Sequence, residues 1–308
     1  MLAGFAAIVG PTGVGKSALA LAVAGQLPAE IVNADALQAY RRLEIGTGKP
    51  TSEERDRVPH HLLDILDPSE RYSAGEFARR AGEAIESIRR RGRLPIVVGG
   101  SGLYFRALRD GLGSVPAIPR EVRQELETNP STAELLVELR RVDPESAARC
   151  GTSDRRRILR ALEVVRGTGR TLGQWWRDDA GPVRPSSVIG LTLPRPLLYD
   201  RIARRVDSMV DAGWESEVQG LLAEGVKPEA PAFQAIGYRQ WVSALAERQD
   251  RRETIAEIVR ETRRYAKRQE TWFRKERGIT WLDSTERDDM SLVLEHLVGA
   301  LVDRASRG

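Results

Sequence analysis

Cysteine is nearly absent from this chain: Cys150 stands alone in 308 residues. No intrachain disulfide can form and no cysteine metal site can be built, so the core must hold the fold, and a reducing cytoplasm is the expected compartment. Lysine is almost as scarce. Lys16, Lys49, Lys227, Lys267 and Lys275 are the whole set, so arginine supplies nearly all of the 48 basic side chains. There are three histidines, and aromatic residues make up 6%. No stretch is long and apolar enough to span a bilayer, and the apolar run 1–9 is short and lacks a basic leader. Membrane insertion is therefore not expected.

What is present is an ordinary globular balance, 41% hydrophobic and 30% charged. The length suggests two domains, or one large domain carrying an insertion. The net charge is only +4. Arginine clusters on that modest excess suggest a basic face rather than a uniformly basic protein, and the guanidinium fork pairs with phosphate at two points. Surface ion pairs would explain the same composition.

Residues 4–9 are apolar and read as a buried first strand. A glycine-rich turn follows at 10–17, then a helix over 18–26. Short apolar runs at 30–33 and 95–98 read as further strands. Residues 51–59 are polar and read as a loop. Ser73 and Glu76 have capping-box spacing ahead of a helical pattern over 77–91. Strands alternating with helices predict a parallel sheet. After about residue 111 the pattern changes. Residues 115–119 are proline-rich, and only helical signals run from 119 to about 177, with a second capping box at Ser131 and Glu134. Residues 181–187 read as a linker, 188–193 as a strand returning to the sheet, and 196–211 and 251–275 as helices. The expectation is an α/β core, a P-loop-type parallel sheet flanked by helices, from 1–114 and 186–308. An all-helical insertion fills 115–185.

Gly10-Pro11-Thr12-Gly13-Val14-Gly15-Lys16-Ser17 matches the phosphate-binding loop G-x-x-x-x-G-K-[ST]. Its amides close around phosphate oxygens, the helix N-terminus adds positive character, Lys16 neutralises terminal phosphates, and the Ser17 hydroxyl is placed for Mg²⁺. The motif specifies a polyphosphate with Mg²⁺ and leaves the reaction open: phosphoryl transfer, or departure of diphosphate from carbon. Asp35 follows the second strand, at the sheet edge where ligands bind in open α/β folds. Ile45-Gly46-Thr47-Gly48-Lys49-Pro50 forms a second small-residue loop. His60 and His61 are adjacent and point to opposite sides, which suits packing or hydrogen bonding better than a shared metal.

Seven segments occur here in an order that resembles the tRNA dimethylallyltransferases. They are the phosphate loop, 35–40, 45–50, 60–64, Gly99-Gly100-Ser101-Gly102-Leu103-Tyr104, Arg156-Arg157-Ile158-Leu159-Arg160-Ala161-Leu162-Glu163 and Ile236-Gly237-Tyr238-Arg239-Gln240. The resemblance covers about residues 4–282. It implies transfer of a dimethylallyl group from dimethylallyl diphosphate to the exocyclic amine of the adenosine beside the anticodon, on its 3′ side. Asp35 then matches the general base, and Asp35 and Ser101 are the candidate catalytic positions. Gly10, Thr12, Gly13, Val14, Gly15, Lys16 and Ser17 match the diphosphate cradle. Asp35, Ala36, Leu37 and Gln38 match a segment on the target base. Arg156, Arg157, Ile158, Leu159 and Arg160 match one tRNA-contacting segment, and Gln234, Ala235, Ile236, Gly237, Tyr238 and Arg239 another, with Ser101 and Arg123 as further tRNA-proximal positions. The family's insertion domain is helical and grips the anticodon stem-loop. Two positions depart from the pattern: Ala36 replaces the usual Ser, losing a hydroxyl, and Ser101 replaces Thr, keeping one.

The chemistry suits these residues. An adenine amine is a weak nucleophile, and a carboxylate that takes its proton as the new bond forms assists it. Lys16, the loop amides and Mg²⁺ offset the charge that develops on departing diphosphate. Arg201 and Arg205, one helical turn apart, are further candidates to reach it. The target base must leave its stack to react. Arg155 joins Arg156, Arg157 and Arg160 on one insertion helix. Arg263, Arg264, Lys267 and Arg268, interleaved with Tyr265, Trp272 and Phe273, form a second basic run that is either an RNA contact or a packed helix. Trp175 and Trp176 read as insertion core. The rival activities are a small-molecule kinase and an isopentenyltransferase acting on free AMP or ATP; a non-catalytic RNA-binding module would not need Lys16, Ser17 and Asp35 together. A monomer is expected.

Overall fold

The computed structural model describes residues 4–111, 115–116, 118–178 and 185–285. The chain divides into two compact units, one of Met1–Phe105 with Val183–Gly308, the other of Arg106–Pro182.

The first unit is built on a parallel sheet. Its strands are β1 (Phe5–Val9), β2 (Ala29–Asn33), β3 (His60–His61), β4 (Leu94–Gly99), β5 (Pro185–Thr192) and β6 (Thr280–Asp283), in the order β3-β2-β4-β1-β5-β6. Every pairing is parallel. β1, β2 and β4 are buried along their whole length. That explains their continuous apolar reading, since a central parallel strand is covered on both faces. Because the strands run one way, the loops after β1, β2 and β4 all emerge at one edge. Gly10, Asp35 and Ser101 are brought together there despite lying far apart in sequence.

The helices are α1 (Lys16–Ala24), α2 (Ser52–Arg57), α3 (Ala74–Arg90) and α4 (Gly102–Asp110), then α5 (Arg120–Thr128), α6 (Thr132–Val142), α7 (Pro144–Arg149), α8 (Arg155–Thr168) and α9 (Leu172–Asp178). After β5 come α10 (Arg195–Asp211), α11 (Trp214–Ala223), α12 (Tyr238–Glu247) and α13 (Arg251–Phe273). α10 and α13 pack beside the phosphate loop: Ile202 lies against Gly13, and Gln269 against Gly100. A second cluster gathers Tyr40, Leu43, Val210, Trp214, Phe233, Tyr238 and Trp241 under α10–α13. The helical unit has its own core, including Leu126, Leu135, Leu139, Ile158, Leu159 and Leu162.

Several expectations shift. The polar stretch 51–59 is not wholly a loop. It holds α2, which buries none of its residues and starts from a complete capping box: Thr51 Oγ1 accepts from the Glu54 amide at 3.2 Å, and the Thr51 amide donates to Glu54 at 2.9 Å. Apolar periodicity cannot reveal a helix held by its cap. The other two capping boxes are half formed. Ser73 and Ser131 accept from Glu76 and Glu134 amides, but Glu76 turns to Arg79 and Arg80, and Glu134 to Asn129. α11, α12 and β6 are additions to what the sequence pattern predicts. β5 starts at Pro185, inside the stretch read as a linker, whose residues 181–184 lie outside the described residues.

Candidate active site

The phosphate loop connects β1 to α1 through glycines in the left-handed region, with φ of 82° at Gly13 and 108° at Gly15. Gly15 is the N-cap of α1 and supplies no side-chain hydrogen bond, so the first-turn amides are left open for an anion. Lys16 Nζ donates to the Pro11 carbonyl at 2.8 Å. Burial pushes the Lys16 ammonium down to about 8; the Asp35 charge opposes this and the Arg205 charge adds to it. Ser17 is exposed on the same cavity wall.

Asp35 sits one residue beyond Ala34, just past β2. Its amide donates to Asn33 Oδ1 at 3.1 Å, and Asn33 Nδ2 donates back to the Asp35 carbonyl at 3.0 Å. Asp35 Oδ1 accepts from the Leu37 amide at 2.9 Å. The carboxylate is thereby oriented through one oxygen, while Oδ2 has no hydrogen bond among the described residues.

Two cavities meet at this residue. The first, about 300 Å³, is lined by Lys16, Ser17, Asn33, Asp35, Gln38, Gly48, Lys49 and His60 among others. The second, about 400 Å³, is more apolar, and Ala36, Leu37, Ser101, Val206, Met209, Trp214, Gln234, Ala235, Ile236, Tyr265 and Arg268 line it. Thr12, Asp35 and Arg205 belong to both walls. Burial holds the Arg205 guanidinium below its ordinary range, against the pull of Asp35. Burial, then the Asp35 charge, pushes the Tyr265 phenol up to about 12. Arg201 lines neither cavity.

The walls are fixed by polar bonds, most of them partly buried. Gln269 Oε1 accepts from the Thr12 amide at 2.9 Å, and Nε2 donates to the Gly100 carbonyl at 2.8 Å, joining the phosphate loop to the loop that carries Ser101. Glu217 of α11 accepts from the amides of Glu44 at 2.8 Å, Ile45 at 2.7 Å and Gly46 at 3.4 Å, and from the Tyr238 hydroxyl at 2.6 Å. Trp214 packs against Gly46, where a Cβ would run into the indole nitrogen. Lys49, 2% exposed, donates to the Tyr40 carbonyl at 2.6 Å, Glu44 at 2.8 Å and Asp64 at 2.5 Å. These bonds set the 44–49 loop, to which Gln38 Nε2 donates at Thr47 and Gly48.

The histidines are both engaged: His60 Nδ1 lies 2.7 Å from the Val58 carbonyl, and His61 Nε2 lies 2.6 Å from Glu30. Burial pushes the Glu30 carboxyl up, but hydrogen bonds from Arg91 and His61 outweigh it and hold it below its ordinary range.

Some expected contact residues turn inward. Ile158 and Leu159 are core residues of the helical unit, and Val14 is core in the first. Tyr238 is fully buried with its hydroxyl on Glu217. The side chains of these four support their segments and do not face a ligand. Gln234, Ala235 and Ile236 do line the second cavity, and Arg239 is exposed. On α8, Arg156 is exposed and has no acidic partner among the described residues, while Arg157 pairs with Asp154 at 3.3 Å and Arg160 with Glu163 at 3.2 Å. Arg123 is held by Glu127 at 2.6 Å. Trp175 is half-buried under the Arg170 guanidinium, whereas Trp176 is 38% exposed and so is not core.

The cavity at the glycine-rich loop and the second, more apolar cavity thus share one carboxylate, Asp35. The model of the IPP transferase family matches residues 38–276, and that of isopentenyl transferase matches 3–66. The chain belongs to the IPP transferase family. It is 45% identical over 306 residues to the tRNA dimethylallyltransferase of Thermomicrobium roseum, covering 98% of this chain and 93% of the relative. Against the tRNA dimethylallyltransferase of Syntrophobacter fumaroxidans it is 45% identical, covering 91% and 83%. Among solved structures, the tRNA isopentenylpyrophosphate transferase of Bacillus halodurans superposes with a TM-score of 0.74 at 38% identity, covering 98% of both chains. A eukaryotic dimethylallyltransferase acting on tRNA gives 0.84 at 27% identity, covering 98% of this chain and 80% of that one. The family's fold is the α/β fold described above. Gln269 and Glu217 are the wall-fixing residues that motif patterns do not reveal. No local pattern marks them, because Gln269 lies 257 residues from Thr12 and Glu217 lies 172 from Ile45.

Proposed function

We propose that this protein transfers a dimethylallyl group from dimethylallyl diphosphate to the exocyclic amine of the adenosine 3′-adjacent to the anticodon in tRNA. The meeting of two cavities at Asp35 carries the reading. The diphosphate lies against the open α1 amides, Lys16 and Arg205, and the adenine enters through the second cavity between Leu37, Ser101 and Ile236. The amine nitrogen attacks the allylic carbon. The carbon–oxygen bond breaks, diphosphate leaves with the electron pair, and the amine proton passes to the free oxygen of Asp35. A positioned base of this kind contributes about 10²- to 10⁴-fold. Ser101 borders the acceptor side and orients the entering nucleotide.

Mg²⁺ is the expected cofactor. The Ser17 hydroxyl and the Asp35 carboxylate line the first cavity, an oxygen donor set that suits a hard cation. Ser17 would hold it, and when bound it would offset charge on the diphosphate oxygens. Arg156, Arg157, Arg160, Arg123 and Arg239 are the exposed or half-exposed cations we assign to the tRNA; Gln234, Ala235 and Ile236 face the second cavity, and Ile158, Leu159, Gly237 and Tyr238 shape those segments.

The test mixes purified protein, Mg²⁺, labelled dimethylallyl diphosphate and unmodified tRNA, with Asp35→Ala and free AMP in parallel. Label should enter tRNA alone and fall by at least about 10²-fold in the variant. Chelation of Mg²⁺ should stop transfer. Label in AMP but not in tRNA would move the enzyme to free nucleotides, and ATP consumption without label transfer would return it to the kinases.

A further inference from the structure

The 44–49 loop, helix α2 and the turn at 62–64 are joined by a closed ring of charge. Lys49 Nζ donates to Glu44 at 2.8 Å and to Asp64 at 2.5 Å. Arg55 of α2 donates to the same two carboxylates, at 3.3 Å and 2.7 Å. Each acid therefore touches both cations. Burial pushes the Asp64 carboxyl up, but hydrogen bonds from Lys49 and Arg55 outweigh it and hold it below the ordinary carboxylate range. The Lys49 side chain is buried, whereas the other three reach solvent. An apolar side chain would fill the space of Lys49 without desolvating an ammonium. What the ammonium adds is direction, because it also donates to the Tyr40 carbonyl at 2.6 Å.

The ring grips the segment that leaves Asp35. Residues 38–41 run beside 64–66: the Asp64 amide donates to the Gln38 carbonyl at 3.3 Å, the Ile65 amide to Ala39 at 2.8 Å, and the Arg41 amide to Leu66 at 2.8 Å. Arg41 Nε donates back to the Asp64 carbonyl at 2.9 Å. Asn33, which orients Asp35, donates through Nδ2 to the Leu62 carbonyl at 3.3 Å. The backbone of this turn is strained. Leu62 at φ 63° and Asp64 at φ 55° lie in the left-handed region, as does Arg42 at φ 67°. Among the described residues Arg248 is the only other non-glycine there, so three of four such positions border one short segment. Strain of this kind persists where surrounding contacts over-determine it, and it gathers at sites that must keep a fixed shape. Asp64 is at once a strained residue and a member of the ring.

We propose that Asp64, locked in the ring with Lys49, Arg55 and Glu44, is a positioning residue for the transfer. The ring keeps the 62–64 turn in its strained form. The turn fixes Asn33 and the 38–41 backbone, and these aim the free oxygen of Asp35 at the acceptor amine. The proposal rests on the reading of Asp35 as the base. The ring takes no part in bond making; it acts through Asp35 alone.

The experiment places Asp64→Asn, which removes one charge at nearly constant volume, in the full-length protein and in its Asp35→Ala variant. Arg55→Gln, on a helix that buries none of its residues, is a milder second variant and carries the same comparison if Asp64→Asn does not fold. Prenyl transfer to tRNA gives kcat and KM, and calorimetry gives the affinity for inorganic diphosphate. Hydrogen exchange is read at the Arg41, Ile65 and Leu66 amides. With Asp35 present, Asp64→Asn should lower kcat by about 10- to 10²-fold, since misplacing a reacting group by about 1 Å costs that much. Exchange at the three amides should quicken, and diphosphate affinity should stay within about twofold. In the Asp35→Ala background no base remains to aim, so the same substitution should cost less than about twofold. Equal fold losses in both backgrounds would overturn the proposal, because the damage would not pass through Asp35. Unchanged exchange would overturn it too, and so would diphosphate affinity lost in step with kcat, which would mean a general packing defect. Wild-type protein that transfers no label, while exchange still quickens in the variant, would sink the catalytic reading and leave the ring's hold on the segment standing.

Discussion

Asp35 and Lys16 divide the labour of one small region by how each is held. Asp35 is fixed through one oxygen and open at the other. Lys16 is half-buried in the cavity wall, and burial pushes its ammonium down to about 8. The sign of the resulting pH effect follows directly. In the proposed cradle, the ammonium present below pH 8 would attract diphosphate; above pH 8 the neutral amine would dominate and that attraction would fade. Affinity for inorganic diphosphate, measured by calorimetry between pH 6.5 and 9.5, should therefore fall above pH 8 by up to about tenfold per unit. Lys16→Arg, whose guanidinium does not titrate in this range, should bind with a flatter profile. A wild-type profile that stays level to pH 9.5 would remove Lys16 from the cradle. At Ala36, which offers no hydroxyl, the neighbouring backbone is already ordered by Asn33 and Asp35, so the shape of this loop needs none there.

At the scale of elements, the site is held by bonds between segments remote in sequence. Gln269→Met should leave the Thr12 amide and the Gly100 carbonyl unpaired, costing about 1–3 kcal/mol, and should loosen diphosphate binding as well. Urea denaturation together with donor titration would test this, and a variant matching wild type in both would make the bridge incidental. Gly46→Ala should be at least as damaging, since its methyl would meet the Trp214 indole; overpacking of this kind costs about 1–3 kcal/mol. The parts legible in the sequence are those whose signal is local. The glycine loop, the buried strands before and between helices, and the carboxylate at a strand end each declare themselves within ten residues. The rest depends on interactions that no window spans. α2 hides because it has a cap and no buried face, β6 because it is a four-residue, half-buried edge strand, and Glu217 because its partners are backbone amides. Ile158, Leu159 and Tyr238 show the opposite error, where a segment's motif is extended to every side chain in it.

The whole molecule has two units with separate cores, and they should respond separately. Leu162→Ala, at a fully buried position of the helical unit, should cost that unit about 2–5 kcal/mol. It should depress prenyl transfer to tRNA while leaving calorimetric diphosphate binding at the first unit unchanged. Equal loss of both would mean that the units unfold as one. No helix among the described residues is long and apolar enough to cross a membrane. The scarcity of lysine has a practical side. An ordinary lysine amine is almost wholly protonated at pH 8, its pKa being about 10.4. Burial pushes Lys16 down to about 8, which favours its free base far more, and Lys49, its companion in the cavity, is shielded behind three acceptors. A limiting dose of an acylating reagent should thus mark Lys16 ahead of Lys49, and a seated diphosphate should protect it. Such protection would make Lys16 a chemical footprint of occupancy at the glycine-rich loop.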